Sequence, residues 1–202
     1  MKQNKEIEKD FSAIILAAGK SERLGFPKLS LKYNEQDIFI EHIAKEYESF
    51  ACKEIVLVVN EIGNEYLSKN NIRFSSKVKI VINEYPEWHR FYSLKIGAKY
   101  LSKTRSTFIH NVDNPFVNFN VINELQKGIT NVDYVSPEFD GKGGHPILLS
   151  DNIINDLRLI EKDQMHFKEF LNKYSKQKVQ VDDEKVLVNI NTLDEYQKFF
   201  SL

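Results

Sequence analysis

The chain of 202 residues and 23.6 kDa contains 42% hydrophobic and 28% charged residues, an ordinary globular composition that argues against a disordered or fibrous protein. Its 28 Lys and Arg residues against 29 Asp and Glu residues give a net charge of -1, so bulk electrostatics favour neither nucleic acid nor an anionic membrane as a partner. The apolar runs are far shorter than the roughly 18 residues that cross a bilayer, and the N-terminus lacks the apolar core of a secretory signal, so we expect a cytoplasmic protein.

After a charged leader at residues 1–10, predicted strands and helices alternate along the chain. The first apolar runs show no alternation with polar residues, which is typical of strands buried on both faces of a parallel sheet. Between these runs the apolar residues recur at helical spacing. The predicted strands are residues 11–18, 54–60, 78–83 and 106–112, and the predicted helices lie around residues 38–47, 94–101 and 121–125. This order predicts βαβ units and a largely parallel sheet.

The last third of the sequence predicts a more mixed arrangement. Short strands are expected at 134–137 and 146–149, helices at 151–159 and 166–171, further strands at 179–181 and 186–190, and a closing helix at 192–200 with Thr192 as its N-cap. Because no repeat, low-complexity stretch or linker interrupts the pattern, we predict a single α/β domain over residues 11–202.

The loop at residues 19–28 is the first candidate site. It directly follows the first predicted strand, a position from which open α/β sheets bind ligands. It combines backbone amides with the cations Lys20, Arg23 and Lys28, and such a combination favours phosphate binding. The alternative is an ordinary strand-to-helix surface loop with solvated charges.

A longer motif surrounds this loop. Residues 16–28, L-A-A-G-K-S-E-R-L-G-F-P-K, resemble the L-A-A-G-x-S-x-R-[ML]-G-x-P-K signature of nucleotidyltransferases, and most of all the MobA/MocA-like NTP transferases, the molybdenum-cofactor nucleotidyltransferases and their relatives. Further matches follow in the family's order at Asn83, 93–97, 113–115, 144–146 and 189–192.

The resemblance implies a Rossmann-like three-layer α/β/α sandwich with a mostly parallel sheet, of the nucleotide-diphospho-sugar transferase type. It implies a Mg²⁺-dependent enzyme that moves a nucleoside monophosphate from CTP or GTP to a phosphorylated small-molecule acceptor and releases pyrophosphate. Arg23 would hold the outer phosphates, Lys28 the α-phosphate and Asp113 the metal, and these three would be the catalytic residues. Leu16, Ala17, Ala18, Gly19, Asn83 and Ser93 would also bind the nucleotide, and Gly144, His145 and Pro146 would bind the acceptor.

Three departures from the family pattern affect these expectations. Val112 precedes Asp113 where family members usually have glycine. Asn189 and Asn191 stand where many members have aspartates, so Asp113 is the only anionic metal ligand predicted, with Asn191 as a neutral one. The segment 87–92, E-W-H-R-F-Y, replaces a glycine-bearing loop and brings bulky aromatic rings and a basic residue beside the predicted base pocket.

These observations leave three interpretations of function open. The first is an enzyme that nucleotidylates molybdopterin. The second is an enzyme of the same chemistry that acts on a sugar phosphate, choline phosphate or a similar ester. The third is a nucleotide-binding protein without turnover, which the residues Val112, Asn189 and Asn191 suggest.

The identity of the base is predicted from Ala18. Guanylyltransferase relatives tend to have L-A-G-G where this chain has L-A-A-G, so a methyl group replaces a hydrogen at the floor of the predicted base site. The methyl group takes space from a purine and leaves a pyrimidine untouched, which favours CTP over GTP. The asparagines at 189–192 point instead to the guanylyl branch.

Overall fold

The computed structural model describes residues 10–103 and 105–200, and its centre is one eight-stranded sheet within those residues. The predicted charged leader lies, except for Asp10, outside the described residues. The strands are β1 (Phe11–Ala17), β2 (Glu54–Val59), β3 (Val78–Ile82), β4 (Ser106–Asn111), β5 (Tyr134–Phe139), β6 (Lys142–Gly143), β7 (Ile147–Ser150) and β8 (Lys176–Gln180).

The strand order places a ligand-binding crevice at the end of β1. The order is β3-β2-β1-β4-β7-β5-β6, with β8 beside β5, and β1 pairs in parallel with both β2 and β4. The chain therefore continues on one side of β1 through β2 and β3 and later returns to its other side with β4. In open α/β sheets, such a reversal opens a crevice at the carboxyl ends of the two central strands.

Helices cover both faces of the sheet. They are α1 (Phe39–Ser49), α2 (Glu61–Lys69), α3 (His89–Tyr100), α4 (Phe119–Gly128), α5 (Asp151–Leu159), α6 (Phe167–Leu171) and α7 (Leu193–Phe199), and short 3₁₀ turns occur at Lys28–Ser30, Pro86–Trp88 and Glu184–Leu187. Among the described residues, none of these helices is long and apolar enough to cross a membrane.

Alternate residues of β1 pack into two separate apolar clusters. Ala13 and Ile15 belong to the cluster that α1, α2 and α4 complete, which we call the α1 face. Ile14 and Leu16 belong to the cluster that α3, α5 and α6 complete, which we call the α3 face. Side chains alternate across a strand, so burial on both faces favours apolar residues at nearly every position, and Ser12 is the one polar residue of β1. The predicted three-layer α/β/α fold with a mostly parallel sheet is thereby confirmed.

Two predictions of secondary structure were wrong or incomplete. The segment 186–190, predicted as a strand, is the end of a 3₁₀ turn followed by extended chain. Its Val186 and Ile190 are buried as a strand would require, but the Asn114 side chain and the Asp113 carbonyl take its backbone hydrogen bonds. The helix α2 was not predicted, and Asn60, assigned to the preceding strand, is its N-cap.

The predicted N-cap of the last helix is confirmed. The Thr192 hydroxyl accepts a hydrogen bond from the backbone amide of Glu195 at 3.2 Å. In return, the Glu195 carboxylate accepts from the amides of Asn191 and Thr192 at 2.6 and 3.0 Å. This reciprocal cap satisfies amides that the first turn of α7 leaves without helical partners, and it fixes the chain at Asn191.

Candidate active site

A cavity of about 770 Å³ opens where β1 and β4 end. Its wall is formed by the loop after β1, the first turn of α3, the residues after β4 and the residue before Thr192. The lining residues are 16–23, Lys28, Pro86, Glu87, His89, Arg90, Ser93, 111–113 and Asn191. The cavity therefore coincides with the crevice that the strand order predicts.

The loop after β1 is held by hydrogen bonds within the protein. The Ser21 hydroxyl accepts from the backbone amide of Lys28 at 3.1 Å, and the Ser21 carbonyl accepts from the amide of Gly25 at 3.2 Å. Gly25 has a φ of 76°, a conformation in which a side chain would be strained. The Asn60 side chain donates to the carbonyls of Ala18 and Gly19 at 3.2 and 3.3 Å. Hydrogen bonds thus connect the loop to the N-cap of α2 and to its own far end.

Lys28, Asp113 and Asn191 meet in this cavity from three distant parts of the sequence. The Lys28 ammonium donates to the Asn191 amide oxygen at 2.9 Å and lies 3.9 Å from the nearer carboxylate oxygen of Asp113. The Lys28 side chain is 14% exposed and that of Asp113 is 28% exposed. Burial lowers the pKa of Lys28 and raises the pKa of Asp113, and in both residues it outweighs the attraction between the two charges.

One carboxylate oxygen of Asp113 is suited to a cation. The oxygen Oδ1 is buried and has no hydrogen-bond partner among the described residues. The backbone around it is fixed, because the amide of Ile190 donates to the Asp113 carbonyl at 2.6 Å. A buried anionic oxygen without a donor is costly unless a ligand completes it. The described residues contain no cluster of three or more His, Cys, Asp or Glu side chains that could hold a metal, so a metal here would depend on Asp113, neutral oxygens and the bound substrate.

Asn114, next to Asp113, joins the β4 end to the segment before α7. Its side-chain amide donates to the carbonyls of Lys185 and Val186 at 3.0 and 3.4 Å, and also to that of Val188. The backbone carbonyl of Asn114 accepts a hydrogen bond from Nε2 of His110 at 2.6 Å. Burial lowers the pKa of His110 to about 3, so this histidine is a neutral member of the core. The hydrogen bonds of the Asn114 side chain hold the segment 185–188 beside the end of β4, and Asn191, three residues further on, thereby reaches the cavity.

The two residues predicted to flank the base lie at different depths. Ser93 lines the cavity, whereas Asn83 is only 1% exposed and lies behind it. The Asn83 side chain donates to the Ser93 hydroxyl at 2.9 Å and accepts from the amide of Tyr85 at 2.8 Å. Asn83 therefore orients Ser93 and does not itself form part of the cavity wall.

None of the residues Gly144, His145 and Pro146, which the family resemblance assigns to the acceptor, lines the cavity. The backbone amide of His145 donates to the carbonyl of Val186 at 2.9 Å. A side chain at Gly144 would place its Cβ 2.4 Å from that same carbonyl oxygen, so only glycine allows this close approach. The peptide bond between His145 and Pro146 is cis. Burial, and then the charge of Arg90, lower the pKa of His145 to about 4, and its Nδ1 is buried without a partner among the described residues.

Two further residues differ from the sequence-based expectation for the site. Arg90 was not predicted as a site residue, although it belongs to the segment 87–92 that departs from the family pattern, and it lines the cavity. Asn189 is exposed and is not part of the cavity wall. The aromatic rings of the same segment pack on each other instead of lining the cavity, since Trp88 stacks on Tyr85 at 4.5 Å and meets Tyr92 edge-on at 4.9 Å.

Comparisons with known proteins show the family of this chain. The MobA-like NTP transferase domain matches residues 13–179. The chain is 30% identical to a probable molybdenum cofactor guanylyltransferase of Clostridium perfringens over 203 positions, which cover 92% of this chain and 94% of that protein. It is 27% identical to a 2-C-methyl-D-erythritol 4-phosphate cytidylyltransferase of Fusobacterium nucleatum over 128 positions, which cover 61% of this chain and 54% of that protein.

A solved structure shares the fold. The crystal structure of Rv0371C of Mycobacterium tuberculosis in complex with manganese superposes with a TM-score of 0.74 and 16% identity, covering 94% of this chain and 97% of that chain.

Proposed function

Because the chain belongs to the MobA-like NTP transferase family, we propose that it transfers a nucleoside monophosphate from a nucleoside triphosphate to a phosphorylated acceptor and releases pyrophosphate. The observation that carries this proposal is the pairing, in one cavity, of the cationic loop after β1 with the carboxylate of Asp113 after β4. Cations suit the phosphates of the nucleotide, and a carboxylate suits the metal that accompanies them.

The nucleotide is expected to lie along the end of β1. Backbone amides near Gly19 and the side chain of Arg23 would hold its outer phosphates, and Lys28 its α-phosphate. A side chain built at Gly19 would contact nothing within 4 Å, so the loop faces open space at the point where phosphates would approach. Ser93, with Leu16, Ala17 and Ala18, would border the base and ribose. All of these residues line the same cavity.

The residues present fit a divalent cation. Asp113 would hold it through the carboxylate oxygen that has no partner in the protein, and Asn191 would offer an amide oxygen of which one lone pair already accepts from Lys28. When bound, Mg²⁺ would neutralise charge on the triphosphate as it reacts. One protein carboxylate completed by substrate phosphates and water is an ordinary arrangement for this ion.

The reaction needs no dedicated general base. A phosphate monoester has its second pKa near 6 and is mostly ionised at neutral pH, so its oxygen can attack the α-phosphorus directly. A new P–O bond forms from the acceptor phosphate while the bond to the β-phosphate breaks, and pyrophosphate leaves with the electron pair. The energy barrier arises because the anionic acceptor phosphate must approach the anionic triphosphate. Lys28 and Arg23 lower it by placing fixed positive charge around the phosphates.

The acceptor we propose is molybdopterin. The proposal is supported by the relative from Clostridium perfringens, which is named for this cofactor and is matched over 94% of its length. The alternative, another small phosphate ester, is supported by the cytidylyltransferase relative, of which 54% is matched.

Pyrophosphate release with a panel of triphosphates and acceptors tests the function. The purified protein would be assayed with CTP, GTP, ATP and UTP, each with molybdopterin, a sugar phosphate, choline phosphate and methylerythritol phosphate. We expect acceptor-dependent pyrophosphate release that requires a divalent metal. Binding of a triphosphate without release under any combination would instead favour the nucleotide-binding protein without turnover.

The preference for CTP rests on Ala18 and is a separate prediction. Ala18 lies on the α3 face of the sheet, is 4% exposed and lines the same cavity as Ser93. One methyl group in a packed pocket changes discrimination by roughly 10- to 200-fold. We therefore expect the wild type to bind CTP more tightly than GTP, and Ala18→Gly to gain affinity for GTP while its affinity for CTP stays the same.

Calorimetric competition between the two triphosphates would measure this preference, with UTP as a pyrimidine of matched size. The name of the relative from Clostridium perfringens points to GTP, so the two observations make opposite predictions. Tighter binding of GTP by the wild type, or an Ala18→Gly variant with unchanged affinity for GTP, would show that the methyl group does not select the base.

A further inference from the structure

Arg90 is a cation in the cavity wall, and the anion whose charge acts on it is the carboxylate of Asp113 in the same cavity. Its Nε is buried and makes no hydrogen bond, and within residues 10–103 and 105–200 its guanidinium forms no ion pair. Its nearest aromatic support is the ring of Phe167, whose centroid lies 5.3 Å from the guanidinium carbon. Arg90 as a whole is half-buried, and a partly desolvated cation without an ion pair costs stability unless a ligand completes it. Arg90 is therefore poised for an anion.

Arg90 and Lys28 belong to segments that pack on opposite faces of the sheet. Leu29, next to Lys28, packs in the cluster on the α1 face, whereas Phe91, next to Arg90, packs in the cluster on the α3 face. The charges of both Lys28 and Arg90 act on Asp113 and oppose the rise of its pKa on burial. The cavity wall thus contains cations from segments on both faces of the sheet, and the charges of Lys28, Arg90 and Arg23 all act on Asp113.

Displacement at phosphorus requires separate binding groups for the attacking and the leaving anion. The attacking and leaving oxygens lie roughly in line on opposite sides of the phosphorus atom. The group that holds the acceptor phosphate must therefore be distinct from the groups that hold the departing pyrophosphate. Lys20, Arg23 and Lys28 belong to the loop after β1, which suits the triphosphate, and this leaves Arg90 for the other anion.

We propose that Arg90 binds the phosphate of the acceptor, and this inference rests on the proposed function. A guanidinium presents a planar fork of donors that fits two phosphate oxygens at once, which an ammonium group does not. His145, in the loop that the family resemblance assigns to the acceptor, is close enough for the charge of Arg90 to act on it.

Phosphate binding in the presence of a filled nucleotide site tests this role. The protein would be saturated with Mg²⁺ and the α,β-methylene analogue of the triphosphate that it binds, and inorganic phosphate would then be titrated calorimetrically. We expect Arg90→Gln to weaken phosphate binding about 10- to 100-fold, as loss of a charge-assisted hydrogen-bonding pair does, and Arg90→Lys to restore only part of it. Arg73→Gln, at an exposed arginine outside the cavity, is the matched control and should bind phosphate as the wild type does.

Two further measurements separate this role from others. The dissociation constant of the triphosphate analogue should stay within about twofold in Arg90→Gln, because its phosphates are held by other cations. The Tm of Arg90→Gln should not fall, because burial disfavours the charge of Arg90, and lowers its pKa, by more than the attraction of Asp113 favours that charge.

The outcomes are distinct. Equal phosphate affinity in the wild type and Arg90→Gln, or no phosphate binding by the wild type, would overturn the assignment. Weakened binding of the triphosphate analogue with unchanged phosphate binding would overturn it too, while leaving the proposed transferase intact. Failure of the wild type to bind any triphosphate would instead count against the proposed function itself.

Discussion

Replacing Lys28 by alanine should lower turnover about 100-fold or more, as removal of a fixed charge from a transition state typically does. The Lys28 ammonium is held 2.9 Å from the amide oxygen of Asn191 and 3.9 Å from the carboxylate of Asp113, so it is positioned before substrate arrives. Negative charge gathers around the α-phosphorus as two anionic oxygens share it, and a preorganised cation stabilises that state without reorganisation. Steady-state pyrophosphate release and nucleotide binding, measured on the same preparation, would check this.

Two other variants make the Lys28 experiment specific. Lys32→Ala, at an exposed lysine outside the cavity, should keep wild-type turnover and serves as the control. Arg23→Ala should mainly raise the dissociation constant of the triphosphate, since Arg23 is proposed to hold its outer phosphates. Near wild-type turnover and nucleotide affinity in both Lys28→Ala and Arg23→Ala would show that the loop after β1 is not the phosphate site.

Replacing Asp113 by asparagine should remove most metal-dependent activity, about 100-fold or more, because the variant loses the one anionic ligand proposed for the metal. The fold should remain intact. Burial raises the pKa of Asp113, which means that the native state disfavours its charged form, so a neutral side chain of the same shape should leave the Tm unchanged or raise it. Activity as a function of Mg²⁺ and Mn²⁺ concentration, together with thermal unfolding, would measure both effects.

Asn191 provides the converse experiment. Asn191→Asp should be tolerated, because the Lys28 ammonium that bonds the Asn191 oxygen would also bond a carboxylate there. The variant should tighten metal binding, because it adds a second anionic ligand beside Asp113. Asp140→Asn is a suitable control, since Asp140 is an exposed turn residue with a φ of 49°, which asparagine also adopts. An unchanged metal requirement in Asp113→Asn would remove Asp113 as the ligand.

The apolar pattern of the sequence was enough to predict the layered fold. β1 and β2 are buried at every position, and apart from Ser12 and Glu54 their residues are apolar, because both faces of these strands are covered. The predicted strand at 186–190 failed for a reason that no local pattern contains. Its backbone partners are the side chain of Asn114 and the carbonyl of Asp113, more than 70 residues earlier in the chain.

The helix α2 was missed for a local reason. Its sequence, E-I-G-N-E-Y-L-S-K, carries a glycine and only a few apolar residues, and of these only Gly63 and Leu67 are buried. Glycine weakens a helix by about 1 kcal/mol relative to alanine, and a short apolar stripe gives little periodicity. Gly63 does allow close packing here, since a Cβ at this position would lie 2.9 Å from the end of the Leu29 side chain, which would have to move.

The sequence by itself identified the loop of residues 19–28 and Asp113 as site residues. Both belong to contiguous motifs, and the turn-forming residues and charges of such motifs are local properties. Only the tertiary structure decided which side chains share the cavity. Lys28 and Asn191 are 163 positions apart and meet at 2.9 Å, Asn83 stands behind Ser93, and Arg90 enters from the α3 face. The strand order and the hydrogen bonds of Asn114 bring these residues together. Such contacts between distant parts of the sequence depend on the whole fold.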